Sequence, residues 1–176
     1  MDANEKNVMI LGVGNVLFTD EGFGVHVAKK IEQTVELPDN VTVVDGGVLG
    51  INLLGVISEP DHLIVVDVMS LDSDPGTLHR LAGDEIPERI RVKNSLHQID
   101  LLEALTLCQA LDHVPETVIV GIEPEDMESL DIHLTPTARA RMDDVIDMVL
   151  AELDRLGVPY KKGDDVDVPR HPFEDN

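Results

Sequence analysis

This 176-residue chain is defined first by what it lacks. It has no tryptophan, one tyrosine (Tyr160) and three phenylalanines (Phe18, Phe23 and Phe173), so its core must be built from valine, isoleucine and leucine packed between layers. Cysteine occurs once, at Cys108, which excludes an intramolecular disulfide; its place among Leu102, Leu105 and Leu111 at helical spacing reads as a core thiol and not a nucleophile. Basic residues are scarce: 13 Lys and Arg stand against 35 Asp and Glu, a formal charge of −22, which repels nucleic acid and anionic membranes and leaves proteins as the expected macromolecular partners. No apolar run is long enough to span a bilayer, and the segment from Met1 to Asn7 has neither the basic start nor the apolar centre of a signal peptide. A cytoplasmic location is the expectation.

What is present is an alternation of strand and helix. Aliphatic runs at 8–13, 41–44, 63–66 and 118–120 read as buried strands. A helix bearing Phe23, Val27, Ala28 and Ile31 is predicted up to Pro38, and a short one over 50–58 closed by Pro60. Between Ser70 and Asn94 turn residues dominate, with one short extended piece over 76–81 that reads as an edge strand or hairpin. Ser95-Leu96-His97-Gln98 has the capping-box spacing of a helix start, with His97 in its first turn. Thr135-Pro136 opens a last helix whose Met142, Val145, Ile146, Val149, Leu150, Leu153 and Leu156 form one stripe before Gly157 and Pro159. Strands joined by helices predict right-handed crossovers and a three-layer α/β/α sandwich around a parallel sheet. Length and pattern give a single domain over residues 1–160 followed by an acidic, flexible tail over 161–176.

The first strand empties into Gly12-Val13-Gly14-Asn15, the opening of a nucleotide-binding unit, yet the following helix is expected to begin with Asp20 and Glu21. Carboxylates at a helix start suit the helix dipole but oppose an anion at the same amides, so a cation fits better. In open α/β sheets ligands gather beyond the C-terminal strand ends where strand order reverses. With the first strand between the second and third, Glu21 and Asp67 meet at that crevice. Asp67 follows four aliphatic residues and has no basic neighbour in sequence, so it is expensive to desolvate unless a cation pairs with it. His97 adds an imidazole that a helix start keeps neutral and able to ligate. Two carboxylates and one imidazole, with positions left open, suit nickel, zinc or cadmium better than calcium. Each residue taken alone has an ordinary structural explanation; the convergence of Glu21, Asp67 and His97 on one rim is the signal.

Asp45 ends the second strand and leads into Gly46-Gly47 and Gly50, a loop flexible enough to admit a peptide closely, which makes Asp45, Gly46 and Gly47 candidates either to bind substrate or to support the metal-contacting residues from behind. His26, His62, His79, His113, His133 and His171 read as surface or structural residues. A Gly-x-Ser-x-Gly elbow is missing, which argues against a serine triad.

Together these motifs resemble the nickel-iron hydrogenase maturation endopeptidases: Gly12-Val13-Gly14-Asn15 with Thr19-Asp20-Glu21-Gly22-Phe23-Gly24-Val25, Asp45-Gly46-Gly47 with Gly50, Asp67 after its strand, Ser95-Leu96-His97-Gln98, Gly121-Ile122-Glu123-Pro124 and Leu134-Thr135-Pro136. The likeness runs from about residue 8 to about residue 157. It implies a flavodoxin-like, mostly parallel five-stranded sheet, and a cytoplasmic protease that removes a C-terminal extension from the hydrogenase large-subunit precursor once nickel is in place. It also implies that Glu21, Asp67 and His97 contact the metal; on that basis they are the expected catalytic and metal-recognising residues, with nickel presented by the precursor. Two rivals remain open at this point. One is a nucleotide-binding module using Gly12-Val13-Gly14 and Asp45, weakened by Leu17 in place of a third glycine. The other is a non-catalytic nickel chaperone.

Overall fold

The computed structural model describes residues 6–47, 53–86, 106 and 113–163. The helix expected from Ser95, with His97 and Cys108, lies outside these residues, as do Gly50 and the segment from residue 164. In chain order the elements are β1 (Val8–Val13), a single 3-10 turn (Thr19–Gly22), α1 (Phe23–Thr34), β2 (Val35–Glu36), β3 (Val41–Gly47), α2 (Leu53–Ile57), β4 (His62–Val68), β5 (Leu78–Ala82), β6 (Glu116–Ile122), α3 (Pro136–Arg155) and β7 (Lys161–Lys162). The main sheet has five strands in the order β3-β1-β4-β6-β5. All its pairings are parallel except β5 with β6. The first strand therefore sits between the second and third long strands, as the crevice argument requires.

Continuous aliphatic runs make the centre because β1 and β4 are buried on both faces along their whole length. Alternation divides their side chains between two cores. Val8, Ile10, Ile64, Val66 and Val120 pack against Phe23, Val27 and Ile31 of α1 and against Val145, Val149 and Leu153 of α3. Met9, Leu11, Leu63, Val65 and Ile119 face the other way, toward Ile57 of α2 and Ile86. The α3 stripe buries as its spacing predicts. Its start is fixed by Thr135, whose side chain accepts a hydrogen bond from Ala138 N at 3.2 Å, and its end by Gly157, which turns at φ 69°.

Several boundaries differ from expectation. Asp20 and Glu21 belong to the 3-10 turn and precede α1, which starts at Phe23. α1 stops at Thr34, short of Pro38, because Val35–Glu36 pairs antiparallel with Lys161–Lys162, residues expected to begin the tail. Gly163 N adds a 2.7 Å hydrogen bond to the Thr34 carbonyl. β3 continues to Gly47, so Asp45, Gly46 and Gly47 close a strand and do not form a loop. The weak extended piece over 76–81 is β5, the antiparallel edge.

Candidate functional site

The strands β1, β4 and β6 end on one rim, and the glycine turn after β1 occupies its centre. Its amides are already engaged. Gly14 N donates to Gly47 O at 3.2 Å, Asn15 N to Glu21 O at 3.1 Å and Phe18 N to Asn15 O at 3.2 Å, while Leu17 N donates to the Asn15 side chain at 3.1 Å. Gly14 has φ +135°, and a Cβ there would fall 1.8 Å from the Glu21 carbonyl oxygen. The turn thus houses the backbone of an acidic residue where a dinucleotide fold would hold pyrophosphate.

The adjacent acids Asp20 and Glu21 have separate tasks. Asp20 is 0% exposed, and its Oδ2 accepts hydrogen bonds from Glu125 N at 2.9 Å, Asp126 N at 3.2 Å and the Thr135 hydroxyl at 2.9 Å. Its Oδ1 accepts from Thr135 N at 2.9 Å. Four donors satisfy the buried charge, so Asp20 ties the 3-10 turn to the loop after β6 and to the cap of α3, and it is not available to an outside cation. The neighbouring Thr19 adopts φ 35°, a strained conformation for a β-branched residue, and is held there by its N–H to Asp131 O at 2.8 Å and its hydroxyl to Asp126 O at 2.6 Å. Glu21 is left at the rim.

Asp67 is the next-to-last residue of β4 and only 5% exposed. Among the described residues its carboxylate receives one hydrogen bond, from Val68 N at 2.8 Å. Burial pushes the Asp67 carboxyl up to about 8, the Val68 N–H opposes the rise and the charge of Glu21 adds to it. That coupling brings Glu21 and Asp67 to the same place. Asp67, desolvated and within the field of a second carboxylate, is a group whose ionised form is disfavoured. The backbone beside Asp67 is tightly fitted: a Cβ on its β6 partner Gly121 would fall 1.6 Å from the Asp67 carbonyl oxygen. Beyond it, the buried Glu123 holds the loop that follows β4, its Oε2 accepting from Leu71 N at 2.8 Å and meeting His79 Nε2 at 2.9 Å.

The third expected ligand, His97, lies outside the described residues. Among those described, no group of three metal-competent side chains forms. Asp45 is exposed, with Oδ1 accepting from Gly47 N at 3.1 Å and Oδ2 3.5 Å from Lys29 Nζ. Gly46 is buried against Leu11 and the Gly12 carbonyl, so it supports β3. His26, on α1, carries a buried Nε2 without a hydrogen-bond partner among the described residues. Burial and then Lys29 lower its pKa, against the pull of Asp45. The remaining described histidines are structural: His62 lies 3.3 Å from Glu116 at the opposite end of the sheet, His113 meets Pro60 O at 3.1 Å and His133 meets Asp131 at 2.8 Å. A cavity of about 740 Å³ also lies at that opposite end, lined by His62, Arg80, Glu116 and Glu152, remote from Glu21 and Asp67.

The structural parts played by Asp20 and Glu123 are absent from the sequence reading. For Glu123 a signal exists: like Asp67, it is a carboxylate closing an aliphatic strand. For Asp20 the partners lie more than 100 positions away, and no local pattern announces them.

Known proteins match this arrangement. The HycI family, described as hydrogenase maturation protease, matches residues 25–152. The hydrogenase 2 maturation protease of Escherichia coli strain K12 is 39% identical over 153 residues, covering 86% of this chain and 93% of that protein. The hydrogenase expression/formation protein HupD of Bradyrhizobium diazoefficiens is 35% identical over 162 residues, covering 91% and 84%. Among solved structures, the hydrogenase maturating endopeptidase HybD from E. coli superposes with a TM-score of 0.84 at 37% identity, covering 89% of this chain and 97% of that one. With its sheet order, its acid-bearing rim and these relatives, the chain belongs to the hydrogenase maturation protease family and is a peptidase.

Proposed function

We propose that this peptidase removes the C-terminal extension of a nickel-iron hydrogenase large-subunit precursor after nickel insertion, using Glu21, Asp67 and His97 to sense the metal that the precursor carries. The observation that carries this reading is Asp67, a buried carboxyl with one N–H donor among the described residues, whose pKa stands near 8 beside a second carboxylate. Such a group is reluctant to ionise until a cation arrives, which suits a checkpoint. In the absence of nickel Asp67 keeps its proton at neutral pH. With nickel presented, the carboxylates and the His97 imidazole gain a common partner, and the binding energy is available to bring the adjoining peptide into register. The metal supplies positive charge, as a polariser of the scissile carbonyl or as a template. The engaged amides of the glycine turn count against a nucleotide-binding role.

The test is an incubation of the protein with nickel-loaded and nickel-free precursor, with parallel reactions of Asp67→Asn and His97→Ala, followed by mass measurement of the precursor. Shortening of the nickel-loaded form by the parent protein alone is expected. Equal shortening of both forms by all three proteins would overturn the checkpoint, and nickel binding without any shortening would favour a chaperone.

A further inference from the structure

Beside Glu21 the rim carries an apolar patch that the fold does not use. Leu17 is 52% exposed, Leu130 79% and Ile132 58%. These are not ends of a loose loop. Phe18 and Asp131 form a parallel bridge, in which Leu17 O accepts from Asp131 N at 3.1 Å and Asp131 O from Thr19 N at 2.8 Å. The bridge brings the backbone of Leu17 alongside that of Leu130, and Ile132 follows two residues on in the same loop. Asp126 Oδ1 stiffens the same loop by accepting from Glu128 N at 2.9 Å and Ser129 N at 3.0 Å, and Asp20 locks the two segments together through its bonds to Glu125, Asp126 and Thr135.

We infer that Leu17, Leu130 and Ile132 form the docking surface for the large-subunit precursor, an inference that rests on the function proposed above. Continuity supports this occupant: Leu17 and Glu21 lie on one pinned segment, and the loop bearing Leu130 and Ile132 follows β6 at the end of the sheet where Asp67 closes β4. Charge supports it too. The patch is surrounded by Glu125, Asp126, Glu128 and Asp131 in a chain of formal charge −22, so a second copy would bring acid against acid, whereas an apolar segment of the precursor flanked by basic residues would meet both features. Because the bonds just described already order the backbone that carries these side chains, little backbone freedom is lost on docking, and Leu17 is joined to Glu21 through that pinned turn.

The experiment compares the parent with Leu130→Ser/Ile132→Ser and with Leu17→Ser/Leu130→Ser/Ile132→Ser in steady-state cleavage of nickel-loaded precursor, with thermal midpoint and light-scattering mass recorded for each. Since all three side chains are solvated, the midpoints should hold. KM should rise about tenfold or more in the triple variant, with a smaller rise in the double and kcat unchanged. A triple-variant KM within about twofold of the parent's overturns the docking surface while leaving the protease reading intact. A parent dimer that the triple variant splits without altering KM also overturns it, in favour of a second copy. If the parent itself does not shorten the precursor, the functional reading fails first and this inference falls with it.

Discussion

Asp20 and Asp67 are both buried carboxylates on one rim, and the contrast between them separates architecture from chemistry. Asp20 receives four hydrogen bonds from two loops. Among the described residues Asp67 receives one, and it sits within the field of Glu21. A buried acid whose oxygens are met by several donors ties the fold together, whereas a buried acid with a like charge nearby holds its proton more tightly. Burial alone therefore says nothing about role; the count and origin of the donors does.

The largest effect that would sharpen this contrast concerns pH. The folded Asp67 carboxyl titrates at about 8, against an ordinary 3.8. A pKa raised by folding means that the group's favourable contribution is complete below about pH 4 and is lost as pH climbs through 8, a swing of about 6 kcal/mol. Asp67→Asn removes the titration while keeping an acceptor for Val68 N. Urea unfolding of the metal-free proteins should thus show the variant gaining on its parent steadily from pH 5 to pH 8, even as cleavage is lost. A constant difference across that range would break the contrast.

Asp20→Asn should act in the opposite direction, lowering stability by about 2 to 4 kcal/mol, because an amide donor then faces backbone N–H groups in a dry site. A variant as stable as the parent in the same titrations would move Asp20 out of the structural class. Thr135→Val withdraws a single donor from Asp20 and the cap of α3 together, for an expected loss of about 1 to 2 kcal/mol. The smallest effect is that of metal. Nickel or zinc at about ten times its dissociation constant should raise the parent's stability by about 1.4 kcal/mol and leave Asp67→Asn unmoved, as read by calorimetry.

Much of the frame was legible because it is local. Unbroken branched runs gave β1, β4 and β6; the stripe from Met142 to Leu156 and the Thr135-Pro136 pair gave α3; a rim carrying Glu21 and Asp67 followed from strand order. The misreadings have a common physical origin in contacts distant along the chain. The antiparallel pairing of Val35–Glu36 with Lys161–Lys162 could not be foreseen from either dipeptide. Hydrogen bonding to β1 draws Asp45, Gly46 and Gly47 into β3, although their composition is that of a turn. The division of Asp20 from Glu21 depends on a loop past residue 120, so two neighbouring acids that look alike in sequence face different surroundings.

The small ribbon of β2 and β7 has a practical consequence. By pinning Gly163 to the far end of α1, it makes the chain leave the described body about 18 Å, the length of that 12-residue helix, from the turn bearing Glu21. A purification handle or surface linker joined beyond that point would be rooted away from the turn bearing Glu21.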